Sequence, residues 1–189
     1  MQDEIRISLT ATRQMVDDML GNAELQHTLR QAVDACLKAI NSGGKLMFAG
    51  NGGSAAEAQH FSAELVGRYL KERKALPSIA LSTDTSALTA IGNDYGYDHV
   101  FSRQIHALGR EGDVLIAMST SGRSKNILAA MQAAREKKIT TISLTGLHPR
   151  DMLPLADIAL KVPSTHTPQI QEGHLILGHL LCGLVESGL

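Results

Sequence analysis

The sequence predicts an α/β fold in which a parallel β-sheet is covered by helices on both faces. Five short apolar segments alternate along the chain with longer stretches of helical periodicity. This alternation is typical of parallel sheets, because each crossover between parallel strands lays a helix on one face. The predicted strands lie at residues 45–49, 78–82, 113–118, 140–144 and 158–162.

A pair of helices is predicted ahead of the sheet. Residues 3–20 and 24–41 carry apolar side chains at helical spacing, and Gly21 and Asn22 separate them. The first helix favours packing against a second copy of the chain, although packing on its own domain fits nearly as well. Its apolar stripe consists of Ile5, Leu9, Val16, Met19 and Leu20.

Composition excludes several classes of protein. The 189 residues suit one domain with a sizeable core, and the net charge of −1 is spread without a basic stripe for nucleic acid or a membrane surface. Two separated cysteines, Cys36 and Cys182, suit a reducing compartment, and no segment resembles a signal peptide or a membrane span. With no Trp and 3% aromatics, stacking on bases or on neutral sugars is disfavoured.

A glycine-rich turn follows the first predicted strand. Residues 50–54 read Gly-Asn-Gly-Gly-Ser, and an Ala-rich helical pattern begins directly afterwards. Glycines let the backbone approach a ligand, and a helix start offers unpaired N–H groups to an anion. The same helix carries His60 and Glu64 on one face. Many such turns bind nothing, and this one has neither the G-x-G-x-x-G nor the P-loop pattern.

A second turn of this kind follows the third predicted strand. Residues 119–124 read Ser-Thr-Ser-Gly-Arg-Ser, immediately before another helical pattern. Hydroxyls and backbone N–H groups can surround a phosphate monoester without a metal ion. Helix capping is the alternative, but one cap needs one hydroxyl and four are present. The scarcity of Lys in both turns favours a sugar phosphate over a Mg-nucleotide.

The last predicted helix carries polar side chains on an otherwise Leu-rich face. Gln171, Leu175 and His179 fall at four-residue steps, and Glu172 is seven residues from His179. Buried polar groups need partners, so these residues are candidates for a site. A satisfied structural histidine and a solvated amide are the alternative. Helix geometry alone slightly favours Glu172 over Gln171.

Five motifs, taken in order, resemble the phosphoheptose isomerases, a class of sugar isomerase (SIS) domain enzymes. The likeness runs from the N-terminal helices to the last helix. The motifs are Gly50-Asn51-Gly52-Gly53-Ser54, His60-Phe61-x-x-Glu64, Gly92-Asn93-Asp94, Ser119-Thr120-Ser121-Gly122-x-Ser124 and Ile170-Gln171-Glu172-x-His174-x4-His179.

The resemblance implies a single SIS domain over residues 1–189. Its fold would be a three-layer α/β/α sandwich with a five-stranded parallel sheet, flavodoxin-like, and residues 1–42 would pack on the sheet and on neighbouring subunits. It also implies a cytoplasmic homotetramer with active sites near subunit interfaces. The implied reaction converts sedoheptulose 7-phosphate to D-glycero-D-manno-heptose 7-phosphate through an enediol, toward nucleotide-activated heptose for lipopolysaccharide core or other surface glycans.

The resemblance also assigns roles to residues. Glu64 and His179 match the catalytic pair. A zinc site of some members, one ion per subunit, matches His60, Glu64, Gln171 and His179. Because Gln is a poor zinc ligand, we expect weak occupancy. The substrate contacts match Asn51, Gly52, Gly53, Ser54, Glu64, Asn93, Asp94, Ser119, Thr120, Ser121, Ser124 and Gln171, with the four hydroxyls of 119–124 around the phosphate.

One departure and two rival functions remain. Gln169 stands where several relatives carry a basic residue, which predicts weaker substrate binding with the chemistry intact. A non-enzymatic SIS adaptor that binds a replication-initiator protein is one rival, but it has no need for a base at Glu64. An isomerase for another sugar phosphate is the second, but we expect such enzymes to carry additional domains for which 189 residues leave no room.

Overall fold

The computed structural model describes residues 2–189. Over these residues an initial helical pair is followed by five strands and five further helices in βα order, as the sequence predicts. The elements are α1 (Gln2–Gly21), α2 (Ala23–Asn41), β1 (Leu46–Ala49), α3 (Gly53–Val66), β2 (Ser78–Ala80), α4 (Thr85–Tyr95), α5 (Ser102–Leu108), β3 (Val114–Met118), α6 (Lys125–Glu136), β4 (Thr140–Thr145), β5 (Ile158–Lys161) and α7 (Thr167–Ser187). Single 3-10 segments, Tyr97–His99 and Arg150–Leu155, lie in the connections.

The five strands form one parallel sheet in the order β2-β1-β3-β4-β5. β1 lies between β2 and β3, with Phe48 opposite Ala80 on one side and Ile116 on the other. Strand order reverses between β1 and β3, and ligands bind parallel sheets at the carboxyl ends of strands beside such a reversal. The flavodoxin-like order therefore points to the two turns that follow β1 and β3.

Alternate residues of each strand enter two separate cores. Leu46 and Phe48 of β1 lie in the core shared with α2, α3 and α7, whereas Met47 and Ala49 lie in the core shared with α5 and α6. Successive side chains of a strand point to opposite faces, so a strand buried on both sides is apolar throughout. The α/β/α sandwich predicted from the sequence is confirmed.

The first helix divides into two parts. Met15 and Met19 are buried, and α1 contacts α7 of the same chain. The preceding turns are exposed, with Ile5 at 57% and Leu9 at 67% of full exposure. Packing of α1 on its own chain is therefore observed at Met15 and Met19, whereas packing of its exposed apolar side chains against a second copy stays a prediction. α2 begins at its cap residue Asn22, whose side chain accepts a hydrogen bond from the Leu25 N–H.

Predicted strand limits differ from the observed ones by one or two residues. Lys45 and Asp113 lie just before β1 and β3 instead of within them. The buried Asp113 carboxylate accepts hydrogen bonds from the Lys45 N–H and from the Arg110 N–H. These two residues therefore connect the amino-terminal ends of the adjacent strands β1 and β3, at the end of the sheet opposite the candidate site.

Both cysteines are buried free thiols. Burial raises the pKa of Cys36 and of Cys182 to about 12. Thiols in this state are poor nucleophiles and poor metal ligands. Over residues 2–189, no helix has both the length and the apolarity needed to cross a bilayer.

Candidate active site

The turn 50–54, which we call the glycine turn, allows the backbone and a side chain to come very close. A Cβ at Gly50 would lie 2.4 Å from the Ser54 carbonyl oxygen, and Gly52 has φ +55°. A Cβ at Gly53 would lie 2.3 Å from the Gln171 side-chain nitrogen. Glycine is therefore required here, because any other residue would displace the turn or the amide that lies on it. Ser54 is buried at the start of α3.

Asn51 joins the glycine turn to the second turn. Its side chain exchanges two hydrogen bonds with the buried side chain of Asn126, of 2.9 and 2.8 Å. The Tyr97 hydroxyl donates to Asn51 Oδ1 at 3.3 Å. Asn126 lies in the first turn of α6 and was not predicted to have a role. A polar residue at the start of an Ala-rich helix was the only sequence signal for it.

Residues 119–124, which we call the hydroxyl turn, bring three serine side chains together. The Ser119 hydroxyl lies 3.3 Å from that of Ser121 and 3.0 Å from that of Ser124. Ser124 precedes α6, yet its side chain makes no hydrogen bond to the helix backbone. The Ser124 side chain therefore does not cap α6. The hydroxyls gather instead at the N-terminus of α6, where an anion is favoured.

A cavity of about 240 Å³ opens beside the hydroxyl turn. Thr120 and Ser121 line it from one side, and residues of the connections after β4 and β5 line it from the other, including Arg150 and Thr165. Gln169 accepts a hydrogen bond from the Ser164 hydroxyl at 2.8 Å. Its side chain is thus engaged within the chain, next to this cavity.

His60, Glu64 and His179 form a cluster between α3 and α7. One ligand atom from each of the three lies within 4.8 Å of the others. The Nε2 atoms of His60 and His179 are 2.7 Å apart, and Glu64 Oε1 is 3.5 Å from His60 Nε2. Two imidazoles and a carboxylate are a donor set that suits a catalytic zinc ion with an open position. Three of the four predicted metal ligands are therefore placed together.

The fourth predicted ligand, Gln171, lies against Gly53. Gly53 and His60 are seven residues apart, roughly 10 Å along the helix axis. Metal ligation by Gln171 therefore stays a prediction, and what the structure shows is an amide at the glycine turn. Glu172, which helix geometry alone had favoured, instead accepts a hydrogen bond from Thr12 of α1 at 2.8 Å. Glu172 thus fastens α1 to α7 at an exposed position.

Asn93 and Asp94 lie in the last turn of α4. Both are exposed, and the Asn93 side chain donates to Asp94 at 2.7 Å. The nearby Tyr97 reaches Asn51, so the end of α4 is connected to the glycine turn. Their predicted contact with substrate stays a prediction.

The contact between α3 and α7, from Gly53–Gln171 to Phe61–Gly178, is called here the α3–α7 seam. The two helices run parallel, because their contacts advance in the same direction along both. A Cβ at Gly178 would lie 2.0 Å from the buried Phe61 ring, so glycine sets the spacing of the helices. This role was not predicted, since a glycine inside a helical pattern has several explanations.

A buried ionisable pair also lies in the seam. His174 is fully buried, and its Nδ1 atom is 3.8 Å from a carboxylate oxygen of Glu57. Neither ring nitrogen of His174 has a hydrogen-bond partner within the described residues 2–189. The two groups lie within ion-pair distance but are not hydrogen-bonded to each other, so the His174 nitrogens and the facing Glu57 oxygen are buried without a hydrogen bond among residues 2–189. His174 appeared in a motif, but Glu57 was not predicted.

Comparisons with known proteins agree with this geometry. Residues 13–146 match the SIS domain family. The phosphoheptose isomerase of Rhodospirillum rubrum is 53% identical over 189 residues, covering 100% of this chain and 99% of that protein. Solved phosphoheptose isomerase structures from Neisseria gonorrhoeae (42% identity, TM-score 0.92) and Francisella tularensis (36%, TM-score 0.94) each cover 98% of both chains.

Similarity at this level extends over the elements that build the site. The match to the Rhodospirillum rubrum protein spans the whole of this chain, and therefore both turns and both helices of the α3–α7 seam. The chain belongs to the phosphoheptose isomerase family of SIS-domain proteins.

Proposed function

We propose that this protein is an aldose–ketose isomerase that converts sedoheptulose 7-phosphate to D-glycero-D-manno-heptose 7-phosphate. The observation that carries the proposal is the cluster of Glu64, His60 and His179, whose ligand atoms lie within 4.8 Å. A carboxylate and an imidazole side by side are the groups that proton transfer between adjacent carbons requires. Relatives named phosphoheptose isomerase support the substrate class.

Isomerisation moves one hydrogen from C1 of the ketose to C2 of the aldose. The Glu64 carboxylate accepts a proton from C1, and the C1–H electron pair forms the C1=C2 bond of an enediol while the C2 oxygen takes a proton from His179. In the second half, the C1 hydroxyl loses its proton to His179 and C2 gains a proton from Glu64. Each group ends in its starting protonation state, so the chain needs no co-reactant.

The hydroxyl turn would hold the phosphate. Ser119, Ser121 and Ser124 offer hydroxyl donors, and the N-terminus of α6 adds backbone N–H groups and a favourable dipole. Because the phosphate lies five carbons from the reacting C2, these contacts serve to bind and orient the sugar. The glycine turn, with Asn51 and the Gln171 amide, would contact the hydroxyls of the sugar chain.

A zinc ion fits the donor set of this cluster. His60, Glu64 and His179 would hold it, with Gln171 as the proposed fourth ligand. When bound, such an ion supplies Lewis-acid polarisation of the substrate carbonyl. A Glu64 carboxylate that ligates through one oxygen keeps the other free to accept a proton. The His179 nitrogen, in contrast, would transfer a proton only while it is not bound to the ion.

The proposed assembly is a homotetramer in the cytoplasm, with active sites near subunit interfaces. The exposed apolar half of α1 supports an interface between copies of the chain. An apolar groove between α1, α2 and α7 continues this surface, lined by Val16, Met19, Leu20, Leu25, Leu29, Ile176, Leu177 and Leu180. Buried reduced thiols suit the compartment. The product would enter synthesis of nucleotide-activated heptose for lipopolysaccharide core or other surface glycans.

The function is tested by incubating the protein with sedoheptulose 7-phosphate and following the anomeric proton of an aldoheptose phosphate by NMR. We expect turnover by the wild type and by Glu24→Gln, an exposed control on α2. Turnover of arabinose 5-phosphate or an aminosugar phosphate alone would establish the rival isomerase. Lack of turnover with any sugar phosphate, together with binding to a replication-initiator protein, would establish the adaptor.

The assembly is tested by light scattering at micromolar concentration, where we expect the mass of four chains. Ile7→Lys and Leu9→Lys place charge on the exposed half of α1 and should lower that mass. A fully active monomer would contradict both the tetramer and the placement of active sites near its interfaces.

A further inference from the structure

His179 has a neighbour that the proposed reaction does not use. The ring of Tyr69 lies parallel to the His179 imidazole, with 9° between the planes and 5.5 Å between the centroids. On another side, the His60 imidazole meets His179 edge-on at 5.0 Å. The Phe61 ring also meets His179 edge-on, at 6.1 Å. Of these three aromatic neighbours, only Tyr69 stacks face to face on His179, and only Tyr69 comes from outside both helices of the seam.

The chain segment that carries Tyr69 is fixed by a buried carboxylate. The Glu186 side chain is 1% exposed and accepts hydrogen bonds from the backbone N–H groups of Tyr69, Leu70 and Lys71, at 2.7 to 2.9 Å. Burial acts to raise the pKa of Glu186, but these three donors and the Arg73 guanidinium outweigh it, so the pKa lies below its ordinary value. The carboxylate is therefore ionised, and both of its oxygens have partners.

Arg73 connects the same segment to the end of α3. Its guanidinium lies 3.0 Å from Glu186 and donates to the carbonyl oxygens of Glu64 and Leu65 at 2.8 and 2.9 Å. One ion pair thus joins the last turn of α7, the last turns of α3 and the connection between α3 and β2. Tyr69 is held at the point where these three meet.

α7 is shaped to receive the Tyr69 ring. Gly183 lies one turn beyond His179, and a Cβ at this position would come within 3.2 Å of the Tyr69 ring. Glycine in a helix interior is unfavourable by roughly 1 kcal/mol relative to Ala. The close approach of the ring gives this glycine a reason, since a Cβ here would require the Tyr69 ring to shift by a few tenths of an ångström.

We propose that Tyr69 is a positioning residue, which sets the orientation of the His179 imidazole by stacking on it and is itself held by Glu186 and Arg73. The inference rests on the proposed function, in which His179 transfers a proton. A stacked ring restricts rotation of the imidazole, so its Nε2 atom stays directed at His60 and Glu64. Misplacing such a group by about 1 Å can cost 10²-fold in rate.

The experiment compares Tyr69→Leu, which removes the stacked ring, with Tyr69→Phe, which keeps the ring and removes the hydroxyl. For Tyr69→Leu we expect kcat to fall roughly 10–100-fold with KM nearly unchanged. Tyr69→Phe should retain the wild-type kcat. Gly183→Ala, which leaves Tyr69 in the chain, should lower kcat in the same direction as Tyr69→Leu.

Two readouts are independent of activity. In imidazole 1H–15N spectra, the ring current of Tyr69 shifts the His179 proton signals, and Tyr69→Leu should move them while Tyr69→Phe does not. Zinc affinity, measured by competition with a chromophoric chelator, should fall by about 10-fold or more in Tyr69→Leu, as for other residues that orient ligands. Thermal unfolding verifies that each variant is folded.

Unchanged kcat and unchanged His179 signals in folded Tyr69→Leu would overturn the inference. A rise in KM at constant kcat would also overturn it, since Tyr69 would then contact the substrate. If the wild type shows no isomerase activity, the proposed function fails. Zinc affinity, which depends on the direction of the His179 imidazole, still decides whether Tyr69 orients it.

Discussion

The two turns at the reversal of strand order differ in their side chains. The glycine turn after β1 contains three residues without side chains, and the Gln171 amide approaches Gly53 more closely than a Cβ would allow. The hydroxyl turn after β3 instead carries four hydroxyl side chains, and those of Ser121 and Ser124 lie within 3.3 Å of the Ser119 hydroxyl. One turn makes room, whereas the other supplies donors.

The helices that follow the two turns differ in the same sense. α3 leads from the glycine turn to His60 and Glu64, which face His179 across the seam. α6 leads from the hydroxyl turn into the apolar core, with Ile127 and Met131 buried. The proposed proton-transfer groups thus follow the glycine turn, the proposed phosphate site lies at the hydroxyl turn, and the Asn51–Asn126 hydrogen bonds connect the two sides. Substitutions on the two sides should therefore affect different kinetic constants.

The largest expected effect is on the α3 side. Glu64→Gln keeps the size of the side chain but removes the proton acceptor, so kcat should fall on the order of 10²–10⁴-fold. His179→Gln should also lower kcat, and the double variant should be little worse than the worse single one, because both act on one transfer path. Calorimetry with substrate verifies that binding persists, and Glu24→Gln serves as the control. Wild-type turnover in Glu64→Gln would remove the mechanism.

On the α6 side, the expected effect is on binding. Changing Ser119, Ser121 and Ser124 together to Ala removes three hydroxyl donors to a phosphate dianion, each worth about 1.5–3 kcal/mol. KM should rise by roughly 100-fold or more, with a smaller change in kcat. Ser42→Ala, at the opposite edge of the sheet, is the control. A triple variant with wild-type KM would show that the hydroxyl turn has no part in substrate binding.

The smallest expected effect concerns the thermal stability that Glu186 gives to the fold. Glu186 has a lowered pKa in the folded protein, so its stabilising contribution is present above its ordinary pKa of about 4.3 and is lost as pH falls through the lowered value. Glu186→Gln should therefore unfold several degrees below the wild type at pH 7, and the gap should narrow below about pH 4. Scanning calorimetry across pH measures it.

Glu136→Gln is the matched control for that measurement. Glu136 is 55% exposed and lies 4.0 Å from His106, so its loss should leave the unfolding temperature nearly unchanged at neutral pH. A gap between Glu186→Gln and wild type that stays constant down to pH 3 would contradict the assigned cause, since an uncharged Glu186 would then stabilise the fold equally.

Much of the site could be predicted from the sequence because its groups are local. His60 and Glu64 share a helix face by spacing alone, and residues 119–124 are contiguous. Family resemblance supplied His179 and Gln171, which spacing left open against Glu172. The roles of Tyr69, Glu57 and Asn126 could not be predicted, because each depends on a partner more than 70 residues away in the chain.

By itself, the sequence determined the α/β class, the order of the elements and the two turns that follow β1 and β3, because periodicity and glycine or hydroxyl content act over a few residues. Only the tertiary structure decided which half of α1 is buried, that Glu172 binds Thr12 while Gln171 lies on Gly53, and that Tyr69 stacks on His179. The position of Gln171 on Gly53 depends on the distance between α3 and α7, which Gly178 and Phe61 set by close packing. No local pattern encodes that distance, since it depends on how two helices more than 100 residues apart fit together.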